Sequence, residues 1–288
     1  MSSVLGQLLG KYSAARVEDY DRALREIMQQ VILLGLWRGS FFEHAAFFGG
    51  TALRLVHGLD RFSEDLDFSL LEPDDLFDLG RFRAVAIREL SAHGVEAEAG
   101  SAEKPEGSSI QHMFLSANAR AAMSSAGAPQ AVISAFPRER LLKVRLEVDV
   151  CPAPGFNTTP GYLLAPLPFQ VRCYSLADLH ASKMHAVLCR RWRNRVKGRD
   201  WFDMVWFAAN HPQLHLAHLD QKMRQSGDLR PAEILTEELF RSKISMAIEK
   251  LDVNAARREV EPFVTDYASL QVWSSDFFRA VAARIILV

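Results

Sequence analysis

Ala45-Ala46-Phe47-Phe48-Gly49-Gly50-Thr51-Ala52-Leu53-Arg54-Leu55-Val56-His57, followed after Gly58 by Arg61-Phe62-Ser63-Glu64-Asp65-Leu66-Asp67-Phe68-Ser69-Leu70, is the stretch on which the fold turns. A short apolar run meets two glycines and then a helix-compatible segment, which reads as strand, tight turn, helix. Gly58 is placed to cap that helix, and Leu66 to Leu70 alternates as a second strand. Asp65 and Asp67 stand two apart at the start of this strand, so their side chains share one face of the sheet and can share a cation. Magnesium, or manganese, suits them, because a hard cation takes oxygen ligands and completes its shell with water and substrate phosphates. Gly49 and Gly50 let a phosphate approach the backbone at a helix N-terminus, where free N–H groups and a partial positive charge lie. Thr51, first in that helix, adds a hydroxyl donor or acts as its cap. Paired acids at a strand end are usually solvated, and a glycine pair is usually a plain turn. Their succession here is what points to a site.

Outward from this core, Val17 to Trp37 places Val17, Tyr20, Leu24, Ile27, Met28, Val31 and Leu34 at three- and four-residue steps, one face of an amphipathic helix. Leu79 to His93 reads as a further helix, Gly100 to Ser109 as a loop or hairpin tip and Ile110 to Ala117 as a strand. Ala119 to Gln130 reads as either a mobile loop or a poorly packed helix. Leu141 to Val150 alternates most clearly, with Leu142, Val144, Leu146, Val148 and Val150 on one face and Lys143, Arg145, Glu147 and Asp149 on the other. If this strand lies beside the Asp65 strand, Asp149 supplies a third carboxylate, with Glu147 on the same face as the fallback. Pro152 to Pro168 holds five prolines and is expected to be an irregular connector. Beyond it the pattern is mostly helical: Ser175 to Arg191, Arg199 to Asn210, Leu214 to Ser226, Pro231 to Lys250 and Ser274 to Leu287. The expected class is α+β, a mixed-sheet lobe over residues 1–168 followed by an all-helical lobe over 169–288.

The 288 residues carry a net charge of −1, so any contact with nucleic acid falls to a local patch. Arg190, Arg191, Arg193, Arg195, Lys197 and Arg199 form such a patch, with Trp192 inside it and Trp201 just beyond. It can track an RNA backbone and stack a base, or be a solvated helix–loop–helix corner. Cys151, Cys173 and Cys189 are odd in number with no close pair, which fits neither a disulfide framework nor a zinc site, and a reducing cytoplasm is the default compartment. No signal peptide and no membrane helix are expected. Arg54 and Arg61 flank the metal strand, where they can pair with its acids or with phosphate. Phe41, Phe42, Phe47 and Phe48 read as core, and His185 as packing or surface.

Gly49-Gly50-Thr51-Ala52-Leu53-Arg54-Leu55 with Arg61-Phe62-Ser63-Glu64-Asp65-Leu66-Asp67-Phe68 resembles the signature of the AbiEii family of nucleotidyltransferase-like toxins. Val144-Arg145-Leu146-Glu147-Val148-Asp149-Val150 is similar to that family's third-carboxylate strand. Ser182-Lys183-Met184-His185-Ala186 and Arg195-Val196-Lys197-Gly198-Arg199-Asp200-Trp201-Phe202-Asp203 resemble its Lys…Arg-Asp-x-x-Asp block. The resemblance spans Phe47 to Phe207, and the tail beyond Asn210 lies outside it.

This resemblance implies a polymerase-beta-like nucleotidyltransferase fold and the toxin half of a two-gene toxin–antitoxin or phage-defence system, its antitoxin encoded nearby. It implies a nucleoside triphosphate donor and an RNA acceptor, tRNA in particular. By position, Asp65 and Asp67 bind metal, Ser63 lies beside the triphosphate, Lys183 contacts phosphate and Asp200 supports the site. Asp203 is equally placed for the role given to Asp200. Two other readings remain open: a catalytically silent module of the same fold that binds RNA or protein, and a transferase acting on a protein or small molecule.

Overall fold

The computed structural model describes residues 3–190 and 196–288. Contacts divide the chain into two compact units: Met1–Val56, Glu64–Pro152 and Pro160–Cys173 make one, and His57–Ser63, Ala153–Thr159 and Tyr174–Val288 the other.

The first unit runs α1 (Val4–Leu9), α2 (Val17–Arg38), β1 (Ala45–Phe48), α3 (Gly49–His57), β2 (Asp65–Leu70), α4 (Arg83–Ala92), β3 (Ala97–Ala99), β4 (Ile110–Asn118), α5 (Ala119–Ser125), α6 (Gln130–Ala135), β5 (Leu141–Asp149), β6 (Thr158–Leu163) and β7 (Phe169–Tyr174). Its strands form a seven-stranded sheet in the order β3-β4-β5-β2-β1-β7-β6. The β2–β5 and β1–β7 pairs are parallel, while β1–β2, β4–β5 and β3–β4 are antiparallel. Period-two alternation explains the core: Leu142, Val144, Leu146 and Val148 are fully buried, as are Leu66 and Phe68. Each such side chain contributes about 1.5–3 kcal/mol of transfer free energy. Leu24, Ile27, Met28, Val31 and Leu34 of α2 join the same core. Phe41 meets Phe68 edge-on with ring centres 4.8 Å apart, and Phe82 at 4.9 Å.

Two segments differ from the pattern their residues suggest, and a third settles between two alternatives. Gly49 and Gly50 are not a turn before a helix but the first residues of α3 itself. Ala119 to Gln130 resolves into α5 and the start of α6. The proline-rich connector contains β6, with Pro160 inside it. That strand ends the sheet order, and an edge tolerates a residue that cannot donate to a ladder. The expectation that prolines exclude an element holds only for interior strands.

The second unit comprises α7 (Leu176–Cys189), α8 (Gly198–Asn210), β8 (Gln213–Leu214), α9 (Leu216–Gln225), α10 (Glu237–Glu249), α11 (Val253–Val260), α12 (Ser275–Ala282) and β9 (Ile286–Leu287). It is helical apart from the two-residue parallel ladder β8–β9 that fastens the chain end. Met204, Phe240 and Phe278 are fully buried in its core, with Trp201 and Trp273 nearly so. Trp201 and Trp273 both meet Phe278 edge-on, at 5.0 and 5.1 Å. Among the described residues no helix is long and apolar enough to cross a membrane.

Candidate active site

Strands β2 and β5 are neighbours, as a third carboxylate requires, and their register decides which acid stands where. The parallel ladder sets Asp65 beside Arg145, Asp67 beside Glu147 and Ser69 beside Asp149. Alternation turns all six to the face opposite Leu66, Phe68, Leu146 and Val148. Glu147 is therefore level with Asp67, whereas Asp149 lies two residues further along, about 7 Å at the rise of a strand. The carboxylate Oδ1 of Asp149 accepts the Cys151 N–H at 3.1 Å and closes the strand end. Glu147 instead pairs with Arg145 at 2.5 Å. On β4, His112 is level with Glu147, a neighbour that the sequence reading did not single out because nothing local signals cross-strand register.

Gly49 is where the glycine pair meets the acids. Its φ is +81°, a left-handed conformation that side chains resist. A Cβ built there would lie 2.1 Å from Oδ2 of Asp67. The carboxylate thus occupies the space a side chain would need, and the backbone at the head of α3 approaches the acid directly. Gly50 is buried in the same helical turn. Thr51 is fully buried, and its hydroxyl donates to the backbone carbonyl of Asp65, so it fastens the start of the acid strand. Arg54 pairs with Glu26 of α2.

The helical unit carries the other residues singled out in the sequence. Arg61, with 3% of its surface exposed, grips the fully buried Asp203 through two bonds of 2.6 Å. Lys183 of α7 reaches the same carboxylate at 2.8 Å. Burial pushes the Asp203 carboxyl up, but Arg61 and Lys183 outweigh it and hold the group below the usual carboxylate range. Lys183 and Asp203 are thus brought together. Asp200, one turn earlier in α8, is also buried, and its Oδ2 has no hydrogen-bond partner among the described residues. Ser63 is the last residue of the segment that Arg61 anchors before the chain enters β2.

Of the basic run, Arg190 caps the end of α7, exposed, and Lys197 precedes α8. Burial lowers the Lys197 ammonium, with Asp200 pulling the other way. Arg199 pairs with Glu259 at 3.3 Å and lies over the Phe263 ring at 4.1 Å, a cation–π contact internal to the unit. Arg191, Arg193 and Arg195 lie outside the described residues.

Asp65, Asp67, Glu147 and Asp149 put four carboxylates on one face of a parallel strand pair, and their oxygens are the donor type that a hard divalent cation such as Mg2+ or Mn2+ takes. Comparison with known proteins places the chain in a family. The model of the family described as nucleotidyl transferase AbiEii toxin, type IV toxin–antitoxin system, matches residues 31–283. No curated protein sequence matches the chain. The solved structure of MenT4, a nucleotidyltransferase toxin from Mycobacterium tuberculosis H37Rv, is similar with a TM-score of 0.61 at 18% identity, covering 97% of this chain and 89% of that one. JHP933 from Helicobacter pylori is similar with a TM-score of 0.51 at 19% identity, covering 92% and 90%. At such identities the two structures speak to the fold alone.

Proposed function

We propose, for a chain that belongs to the AbiEii family of nucleotidyl transferase toxins, that it moves a nucleoside monophosphate from a nucleoside triphosphate to an RNA acceptor, tRNA in the first instance. In this reading an acceptor hydroxyl oxygen bonds to the α-phosphorus, the bond from that phosphorus to the bridging oxygen breaks, and pyrophosphate leaves. The hydroxyl proton passes to solvent. Asp65, Asp67 and a third acid of β5 would hold Mg2+, which when bound lowers the pKa of the attacking hydroxyl and offsets charge on the phosphates. The observation that carries the reading is the register: Asp67 and Glu147 are level, Asp65 is on the same face, and Gly49 is pressed against Asp67. Glu147 rather than Asp149 is the third ligand favoured by that register.

In this reading the chain's own residues bind and orient the substrates. Gly49 and Gly50 present the start of α3 to phosphate, and Thr51 keeps Asp65 in place through its carbonyl. Lys183, held by Asp203, supplies a compact positive charge for the triphosphate, and Asp203 acts through it as a positioning residue. A cavity of about 520 Å³ lined by Arg25, Glu64, Glu139, Arg140, Leu141 and Lys143 adjoins the first residue of β2, and Lys143, with Arg25 and Arg140 once drawn from Asp21, would meet an acceptor backbone there. As a type IV toxin the protein would be opposed by an antitoxin encoded nearby.

Purified protein with magnesium, an RNA pool and each labelled nucleoside triphosphate in turn tests the reading. The wild type should label RNA, tRNA foremost, and release pyrophosphate. Asp65→Ala should lose on the order of 1000-fold in rate, several kcal/mol of transition-state stabilisation, with its fold intact by circular dichroism. A wild type that binds RNA yet shows no metal-dependent transfer to any RNA pool sinks the proposal.

A further inference from the structure

Three side chains remote in sequence from the strand acids come together at the end of α7. His185 and Cys189 stand four residues apart on one face of that helix, and Asp228 meets them from the turn that closes α9. Their imidazole nitrogen, sulfur and carboxylate oxygen lie within 4.8 Å of one another, and among the described residues no other trio of His, Cys, Asp or Glu gathers so closely. The turn is shaped to present the carboxylate. Gly227 has φ +75° and donates its N–H to the Arg224 carbonyl at 3.0 Å, while the Asp228 N–H donates to the Met223 carbonyl at 2.8 Å. That pair of bonds is the Schellman closure of a helix. Between two of the candidate ligands stands Ser226, its Oγ 2.9 Å from Nε2 of His185 and 2.7 Å from Oδ2 of Asp228.

We propose that His185, Cys189 and Asp228 form a zinc site tying the end of α7 to the turn after α9. An imidazole, a thiolate and a carboxylate make a donor set that suits Zn2+ and not the all-oxygen preference of Mg2+. With Zn–N about 2.0 Å and Zn–S about 2.3 Å, tetrahedral neighbours stand roughly 3.5 Å apart. Closing the trio from its present separation takes shifts of about 1 Å, within the reach of side-chain torsions. Water or the Ser226 hydroxyl fills the fourth position, and Cys189 gives up its thiol proton to solvent as the Zn–S bond forms. Two helices end here: Cys189 is the last residue of α7 and Ser226 follows the last of α9. The partial negative charge of helix C-termini favours a cation and works against the nearby charges of Lys222 and Arg190. The site directly precedes Arg190, so a bound ion would hold the residue from which the basic run departs.

Full-length protein stripped by a chelator and titrated with cobalt(II) reads the site directly. One equivalent should produce a thiolate-to-cobalt charge-transfer band with tetrahedral d–d bands, and zinc should abolish both while raising the melting temperature. Cys189→Ser should lose the charge-transfer band, and Asp228→Asn, which leaves the thiol in place, should weaken zinc binding on the order of 10-fold or more. Asp65→Ala should keep the thiolate-to-cobalt band of the wild type, so this result stands apart from that of the transfer assay. A wild type without the thiolate band, or a band that survives Cys189→Ser, overturns the site. If Cys189→Ser fails to fold, unchanged zinc affinity in Asp228→Asn overturns it as well.

Discussion

In the sheet unit the buried acids Glu26 and Glu89 lean on arginines that reach in from the surface, Arg54 and Arg38, whereas in the helical unit both Arg61 and Asp203 are buried. The side chain of Arg38 is 49% exposed, against 3% for Arg61. The helical unit also encloses Asp178, His180 and His218, all without exposed surface. Asp178 is satisfied by His215 at 2.6 Å, the Ser175 hydroxyl at 2.6 Å and the Asn157 N–H at 2.9 Å. The sheet unit rests on apolar alternation, while the helical unit depends on polar partners that must all arrive together. A buried ion pair adds little net stability over an apolar replacement, yet breaking one is costly.

Asp203→Ala is the strongest way to break this contrast, since it strands the Arg61 guanidinium in the interior and frees Lys183. It should cost about 3–5 kcal/mol in urea unfolding. Arg61→Met combined with Asp203→Leu should recover part of that loss. A single variant with an unchanged urea midpoint would show that the pair carries no structural weight.

Acid should act next, and on the helical unit. His180 donates its Nδ1–H to the Gln213 carbonyl at 2.9 Å, stacks on Phe207 at 4.4 Å and leaves a buried Nε2 with no partner among the described residues. Burial pushes it from 6.5 down to about 4, and His218 likewise. Between these values the unfolded chain binds a proton that the folded one refuses, so stability is full above about pH 6.5 and falls as pH drops toward 4. For His180 the loss is on the order of 3 kcal/mol. Asp203 extends the trend: its depressed carboxyl contributes stability present above the unfolded carboxylate value and lost as pH falls through the folded one. Hydrogen exchange near pH 5 should find the helical unit opening before the sheet unit, and the reverse order would invert the comparison.

The two acids of β5 sharpen it within the site. Glu147→Gln should lower transfer about 100-fold, equivalent to roughly 2.7 kcal/mol, and Asp149→Asn only a few-fold. Single-turnover rates distinguish them, and equal losses would argue that register does not choose the ligand. Smallest in stability is Gly49→Ala, which should cost about 1–2 kcal/mol through its left-handed backbone. It should also displace Asp67, so its activity should fall further than its melting temperature implies.

Much of the fold was legible along the chain because it is local. The three- and four-residue steps of α2 and the alternation of β5 are written in consecutive residues, and so are Asp65 and Asp67 on one face. The β6 strand was hidden by Pro160, whose cost vanishes only at a sheet edge, and α11 by its shortness. Arg61 was visible as a charge near the acids, but its partner Asp203 stands 142 residues away. His185 read as packing or surface, and its association with Asp228 depends on how α7 and α9 meet.

From the residues alone follow the α+β order of elements, the acid pair on one strand face and the glycines ahead of it, since each is a matter of backbone period and short spacing. The folded chain was needed to set Glu147 level with Asp67, to give Lys183 and Arg61 a common partner and to gather His185, Cys189 and Asp228. Strand register and buried pairing join residues far apart in sequence, and packing of the whole unit, not any local preference, selects them.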